Sequence, residues 1–378
     1  MALSSPWSRL VAQRLSSLGL EIHVVEVRAA GPDGGYLERD GPVQTAAVAE
    51  LEKQVAGVHR IRTSASRMIG IVRSAFALRR LARRIEADVA ITLYGGANAA
   101  ALFLSRIRPY VVYVVGSDVL LATGSTRRIA RTSLTHASLV LANGKYLATK
   151  TAELAPAAEV VTLYLGTDLR RHHHSAPKGV TPTFVSTRGF LGVYDNETIV
   201  RAVAAVATQT TPMKMTFASS GPLLAQAIAL ADQLIPSGRR HQVVFLGGVG
   251  EREMEGLLQS NSYYVSASLS DGASSSLLEA LASRLFPIVS DIPANREWIT
   301  HEENGLLFPP GDHVALATCL GRAIKSESWM DGARDTNRLL VRERADADTN
   351  MARLAELLRG RASRAHATDI APVLACSL

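Results

Sequence analysis

The sequence predicts an α/β protein of two doubly wound domains, each built on a parallel sheet. Three features carry that prediction. A length of 378 residues suits about two domains. Short β-branched runs alternate with helical patterns along the chain, as βαβ units require, and one polar, turn-rich break falls in mid-chain. In the first half, strands are read at 21–28 (EIHVVEVR), 88–93 (DVAITL), 110–115 (YVVYVV), 138–141 (SLVL) and 160–165 (VVTLYL). The stretch "GTDLRRHHHSAPKGVTP", 166–182, has turn formers and reads as linker. The alternation restarts with strands at 183–186 (TFVS), 213–218, 242–246, 263–267 and 286–290. The opening "SSPWSRLVAQRLSSLG" reads as a helix capped by Ser4 or Ser5 with Pro6 in its first turn, and no strand precedes it. A doubly wound sheet places its first strand centrally. The expectation is therefore an N-terminal sheet that lacks this strand and exposes edges on both neighbours.

Hydrophobic residues make up 47% and charged residues 20% of the chain, a globular composition. Cys319 and Cys376 are the only cysteines, which argues against a disulfide framework and suits a reducing compartment. The opening has no apolar core of the signal-peptide kind, and no run approaches the roughly 20 apolar residues of a spanning helix. These features point to a cytoplasmic protein. The net charge of +7 is uneven: residues 1–170 hold 21 Lys and Arg against 13 Asp and Glu, and the remainder holds 20 against 21. Arg79, Arg80, Arg83 and Arg84 gather on one helical face, read either as a solvated face or as a patch for a membrane surface or other anionic partner. Nucleic acid is disfavoured, since aromatics are 5% and no recognition motif accompanies the charge. His172, His173 and His174 are consecutive and so point in different directions; they read as solvated linker rather than metal ligands. Asp346 and Asp348 in "DAD" read as part of a charged surface helix. No metal site is expected.

The chemistry concentrates in "SYYVSASLSDGASSSLLEALAS", 262–283: a strand, a tight loop of small residues, and a helix beginning near Ser275. Ligands of parallel sheets bind beyond the carboxyl ends of strands, where helix N-termini present free N–H groups. The N–H groups of Ser274, Ser275, Ser276 and Leu277 suit a phosphate. Glu279 lies about one turn into the helix, where it can accept hydrogen bonds from vicinal hydroxyls such as a ribose's, and Asp271 can do the same for a second polyol. A diphosphate between two polyols describes a nucleotide sugar. Capping by Asp271 and a serine, with Glu279 complementing the dipole, does not by itself explain both acids.

Asp271 and Glu279 have the spacing of the E-x7-E segment of glycosyltransferase family 4, the glycosyl transferases group 1, and the surrounding region resembles it. Further blocks resemble that family in order: "VVGSDVL" (114–120), "LGTDLRR" (165–171), "STRGFLGVYDNETIVRAV" (186–203), "SSGPLL" (219–224), "VVFLGGV" (243–249), "ENGLLFPPGDHVALATCLGRAI" (303–324) and "ERADADTNMARLAELL" (343–358). The resemblance implies the GT-B fold, two Rossmann-like domains facing a cleft with a C-terminal helix crossing back. It implies an acceptor-side domain at 1–170, a linker at 171–182, a donor domain at 183–342, and a crossing helix and tail at 343–378. It implies a retaining, metal-independent transferase without a cofactor, whose donor is a nucleotide diphosphate sugar and whose acceptor is a hydroxyl. Residue by residue, Arg188 would neutralise the diphosphate, Gly221 lie in the donor loop, Gly247 and Val249 contact the base, and Gly272 with Ser274 to Leu277 form the phosphate loop. Glu279 would hold the ribose and Asp271 the transferred sugar; Asp118, Arg188 and Asp271 are the catalytic candidates. Glycan, polysaccharide or glycolipid synthesis follows as the setting. The basic N-terminal half extends the expectation to peripheral contact at the inner face of a membrane.

The pattern is broken at identifiable places. Asp271 stands where the family usually has Glu, Tyr194 where Lys is common, and Val115 where many members have His. Asp118 is open to two readings, part of the reaction centre or a turn stabiliser. Arg284 replaces a helix-ending Gly, which predicts a side chain held at positive φ at a cost of about 1 kcal/mol. These departures keep a second reading in view, a non-catalytic nucleotide-binding or scaffolding homologue.

Overall fold

The computed structural model describes residues 6–30, 42–64, 67–172, 181–207, 212–325, 328–362 and 372–377. They divide into two compact units, 1–165 with 348–378 and 166–347. The first stretch of chain forms α1 (Pro6–Ser17), β1 (Glu21–Ala30), α2 (Pro42–Gln54), β2 (Gly57–Ser64), α3 (Arg67–Arg84), β3 (Val89–Leu93), α4 (Ala97–Ser105) and β4 (Tyr110–Val114). It continues through α5 (Ser117–Leu120), α6 (Gly124–Thr135), β5 (Leu139–Ala142), α7 (Lys145–Leu154) and β6 (Val160–Thr162). The second unit contains β7 (Thr183–Ser186), α8 (Asn196–Ala207), β8 (Lys214–Phe217), α9 (Leu224–Leu234), β9 (Val243–Phe245), α10 (Glu251–Ser260), β10 (Tyr263–Ser266) and α11 (Ser275–Ala282). It ends with β11 (Phe286–Ser290), α12 (Pro293–Arg296), β12 (Leu306–Phe308), α13 (His313–Lys325) and α14 (Trp329–Arg344), before α15 (Ala347–Ala362) and β13 (Pro372–Ser377) return to the first unit.

The first sheet has the order β2-β1-β13-β3-β4-β5-β6 and is parallel throughout. Among the described residues the open edges expected in this sheet are absent. The C-terminal strand β13 lies between β1 and β3, pairing Val373 with Ile22 on one side and Val89 on the other. Its period-two alternation serves both faces. Val373 and Ala375 join the core beneath α1, α2 and α15, while Leu374 joins the core beneath α3, α4, α6 and α7. All three are fully buried, which removes from water the edges a missing strand would have exposed.

The second sheet is also parallel, in the order β12-β11-β10-β7-β8-β9. The chain runs from β7 out to β9, then crosses back to β10 and on to β12. The winding therefore reverses between β7 and β10, and loops leaving these neighbouring strands splay apart. Within this unit, the 166–171 segment is tied to the break after α14. Thr167 N–H donates to Ala345 O (2.9 Å) and Ala347 N–H to Thr167 O (3.1 Å). At Gly166, φ is +77° and a Cβ would lie 2.6 Å from Ala345 O, so this crossing admits only glycine. Asp346 and Asp348 accordingly do not share one surface helix. Asp346 sits in the break between α14 and α15, bridged to Thr167, and Asp348 in the first turn of α15 pairs with Arg14 (2.8 Å).

Three strands escape the periodicity: β2, whose "GVHRIRTS" carries polar groups along a sheet edge, and the short β12 and β13. Arg284 does adopt φ +62°. It ends α11 in a Schellman motif, Leu285 N–H donating to Ala280 O (2.9 Å) and Arg284 N–H to Leu281 O (3.0 Å).

Candidate active site

The residues singled out in the second half gather at the carboxyl ends of β7, β8, β9 and β10, on both sides of the point where the winding reverses. Arg188 leaves β7 and is buried. Its Nη2 donates to Asp271 Oδ2 (2.6 Å) and its Nη1 to Ser274 Oγ (3.0 Å), so one guanidinium spans the two loops. Its plane lies over the Tyr194 ring, 3.8 Å from the centroid. Burial opposes the positive charge, but Asp271, with Tyr264, Tyr194 and Glu279 adding to it, together outweighs burial and raises the Arg188 pKa. Tyr194 thus stands in the basic loop as a flat support for the arginine rather than as a second cation.

Asp271 Oδ1 accepts the N–H of Gly272 (2.9 Å), which fixes the carboxylate within its turn. Ser274 is the N-cap of α11, its Oγ accepting from Leu277 N–H (3.3 Å) as well as from Arg188. One of the four N–H groups expected to meet phosphate is therefore spent on capping; Ser275 and Ser276, in the first turn, are the ones without a helical acceptor. Glu279 comes one turn later, and the structure gives its carboxylate no hydrogen-bond donor among the described residues. Burial pushes its pKa up from 4.5 to about 7, against the pull of Arg171, with Glu251 adding to the rise.

The glycines divide by role. Gly221 has φ +154° and a Cβ there would lie 2.6 Å from Phe190 O, so it lets the loops after β7 and β8 cross. Phe190 N–H donates to Ser220 O (3.0 Å) and Leu223 N–H to Phe190 O (3.1 Å) at that crossing. Gly247, at φ +73° with open space around its Cα, and the part-buried Val249 lie on the loop leaving β9, as a backbone contact to a base would need.

Two groups here were not legible beforehand. Arg171 donates to Glu255 (2.6 Å) and Glu251 (2.9 Å) of α10, bringing three charges within electrostatic reach of Glu279. His172 is not a solvated linker residue: it is buried, its Nε2 3.0 Å from Thr167 Oγ1 and its Nδ1 3.0 Å from Ser283 Oγ. Burial pulls its pKa down to about 4, with Arg171 assisting. His173 and His174 lie outside the described residues. A polar linker composition carries no sign of such a contact.

Asp118 belongs to the first unit, where it ties two loops together. Its Oδ1 accepts from Gly116 N–H (2.8 Å) and Val115 N–H (3.2 Å), and its Oδ2 from Gly95 N–H (2.6 Å). Burial raises its pKa while these N–H groups oppose the rise. These three bonds hold the Gly95 and Val115–Gly116 backbone at the Asp118 carboxylate.

Residues 184–326 match the family model Glycosyl transferases group 1. The structure resembles that of Alr3699/HepE of Anabaena in complex with UDP-glucose, with a TM-score of 0.72 and 17% identity over 90% of this chain and 100% of that one. The fold is GT-B. This GT-B chain also resembles a glycosyltransferase of Rickettsia africae ESF-5 (TM-score 0.70, 14% identity, 90% and 98% covered) and sucrose-phosphate synthase of Thermosynechococcus elongatus (0.68, 15%, 90% and 98%). Among curated sequences it is 28% identical over 168 residues to the lipopolysaccharide core biosynthesis mannosyltransferase LpcC of Rhizobium leguminosarum bv. viciae. That match spans 41% of this chain and about half the relative's length, 47%. The family match and the GT-B fold together support a glycosyltransferase.

Proposed function

We propose that the chain is a retaining glycosyltransferase that moves a hexosyl group from a nucleotide diphosphate sugar to a hydroxyl acceptor, in glycan, polysaccharide or glycolipid synthesis. The observation that carries this reading is one buried arginine joining Asp271 and the cap of α11 where the winding of the sheet reverses, one helical turn from the unpartnered Glu279 carboxylate. The complexed Anabaena structure contains UDP-glucose and the Rhizobium relative is named a mannosyltransferase, which supports a hexose on a nucleotide as the donor class.

In this reading the diphosphate lies against Arg188 and the N–H groups of Ser275 and Ser276, its ribose hydroxyls donate to Glu279, and its base meets Gly247 and Val249. Gly221 keeps the loops after β7 and β8 close, and the Gly272 N–H holds the Asp271 carboxylate. The bond from the anomeric carbon to the diphosphate oxygen breaks while a bond to the acceptor oxygen forms on the same face, and the acceptor proton passes to the departing diphosphate. Charge grows on that leaving group, which is where Arg188 and the α11 N-terminus stabilise the transition state without a metal. Asp271 faces the sugar. Because it is also the partner of Arg188, donor and Asp271 compete for one cation. Asp118 is assigned the holding of acceptor-side loops in a cytoplasmic enzyme. No described helix is long and apolar enough to cross a membrane.

Calorimetric titration with a panel of nucleotide diphosphate hexoses, followed by nucleotide-release assays on parent, Arg188→Lys, Asp271→Asn and Glu279→Gln, tests the reading. An active parent with impaired variants, and a product of unchanged anomeric configuration by NMR, supports it. The full engagement of Asp118 with backbone favours the second reading, a non-catalytic nucleotide-binding homologue. A parent that binds nucleotide yet neither transfers nor hydrolyses any donor establishes that alternative.

A further inference from the structure

The layer of α3, α4 and α6 on one face of the first sheet has a composition that neither packing nor sugar transfer requires. These helices share one core through Leu78, Leu102 and Leu134, so their outer faces belong to a single surface layer. None of the three contains an Asp or Glu. On α3, Arg73, Arg80, Arg83 and Arg84 are exposed, and on α6 Arg127, Arg128 and Arg131 are exposed. None of these arginines pairs with a carboxylate among the described residues. A solvated helix face ordinarily interleaves both signs, because like charges at helical spacing repel.

The same outward face of α3 turns apolar toward its N-terminus. Met68 is 61% exposed, Ile69 53%, Val72 42% and Phe76 72%, while Ile71, Ala75, Leu78 and Leu81 fill the core on the opposite side. A helix needs only one apolar stripe to pack. The second stripe is surplus to the fold and leaves a Phe ring in water beside unpaired arginines. A soluble polyanion would use the arginines and gain nothing from the apolar residues. An anionic bilayer surface uses both: lipid headgroups attract the arginines, and the acyl boundary takes up Phe76, Met68 and Ile69.

From this juxtaposition we propose that the α3–α4–α6 layer is a membrane-docking surface for anionic phospholipid, with the N-terminal half of α3 as its inserted edge. The inference goes beyond the transferase reading and stands whether or not the chain transfers sugar. The full chain is mixed with sucrose-loaded vesicles of phosphatidylcholine alone or with roughly a third phosphatidylglycerol, and the bound fraction is read by sedimentation. The expected result is binding to the anionic vesicles only, weakened by high salt. Two variants separate the contributions: Met68→Ser/Phe76→Ser and Arg80→Glu/Arg83→Glu/Arg84→Glu should each lower vesicle affinity at least tenfold. Every substituted side chain is exposed, and unchanged thermal unfolding serves as the folding control. On immobilised heparin only the arginine variant should lose retention. Failure of the parent to bind anionic vesicles overturns the proposal. So does a serine variant that binds like the parent, which marks a polyanion site, or one that abolishes self-association, which marks a face between copies of the chain.

Discussion

Replacing Glu279 with Gln should make the protein more stable at pH 8 and leave it unchanged near pH 4.5. The carboxyl is pushed from its ordinary 4.5 to about 7, chiefly by burial. Between those values the folded chain holds a proton that the unfolded chain has released. Stability from this group is therefore fully present below pH 4.5 and is lost as pH rises through about 7. At 1.36 kcal/mol per pH unit, the loss amounts to at most about 3 kcal/mol, which Gln, having nothing to ionise, does not incur. His172 acts with the opposite sign. Its pKa falls from 6.5 to about 4, so its contribution is lost as pH drops below 6.5. In the parent the two slopes oppose each other between about pH 4.5 and 6.5, and Glu279→Gln should unmask a stability that rises with pH. Urea unfolding followed by tryptophan fluorescence reads the change, since Trp298 and Trp329 lie in the same unit as Glu279. A parent–variant difference that does not grow between pH 4.5 and 8, or a variant less stable at pH 8, refutes the reasoning.

Asp271→Asn should tighten binding of a bare nucleoside diphosphate a few-fold while transfer falls, because it leaves Arg188 buried beside a neutral partner and frees it for the ligand; calorimetry and release assays separate the two effects. Tyr194→Phe should retain donor affinity, whereas Tyr194→Leu should lose on the order of 1–2 kcal/mol of it as the stacked guanidinium loses its support, measured by the same titration. Leu374→Ala should cost about 2–5 kcal/mol in the first unit, seen as an early unfolding transition and faster proteolysis there, while nucleotide binding by the second unit persists. Arg284→Gly should raise thermal stability by roughly 1 kcal/mol, because the residue sits at φ +62° and its ion pair with Asp335 is at the surface.

The second unit was legible because its signals are local. Strands such as 183–186 and 286–290 carry adjacent apolar residues, Phe184 with Val185 and Ile288 with Val289, buried on both faces, and the 271–279 spacing lies within one loop and one helix. Arg284 was legible for the same reason, since a Schellman motif involves only neighbours in sequence. What sequence did not convey depends on partners far along the chain. The contact of His172 with Ser283 spans 111 positions, and its composition is that of any polar linker. That Arg188 pairs with Asp271 rather than standing free for phosphate depends on which loops flank the reversal between β7 and β10, and strand order is not written in either loop.

The first sheet makes the same point more sharply. The local pattern led to the deduction that two edges stand open, and the structure overturns it. "PVLACS" is six residues with a proline at its first position, where no ladder hydrogen bond is lost, and it shows no longer period than many loops. Its assignment to the centre of the sheet arises because β1 and β3 each present a row of unpaired backbone groups that only a parallel, doubly apolar strand can satisfy, and Val373, Leu374 and Ala375 supply apolar atoms to both faces at once. The demand for the strand is set by the facing edges of β1 and β3. Its supply comes from 342 residues beyond the end of β1, counted from Ala30 to Pro372, so the two halves of the inference meet only in three dimensions.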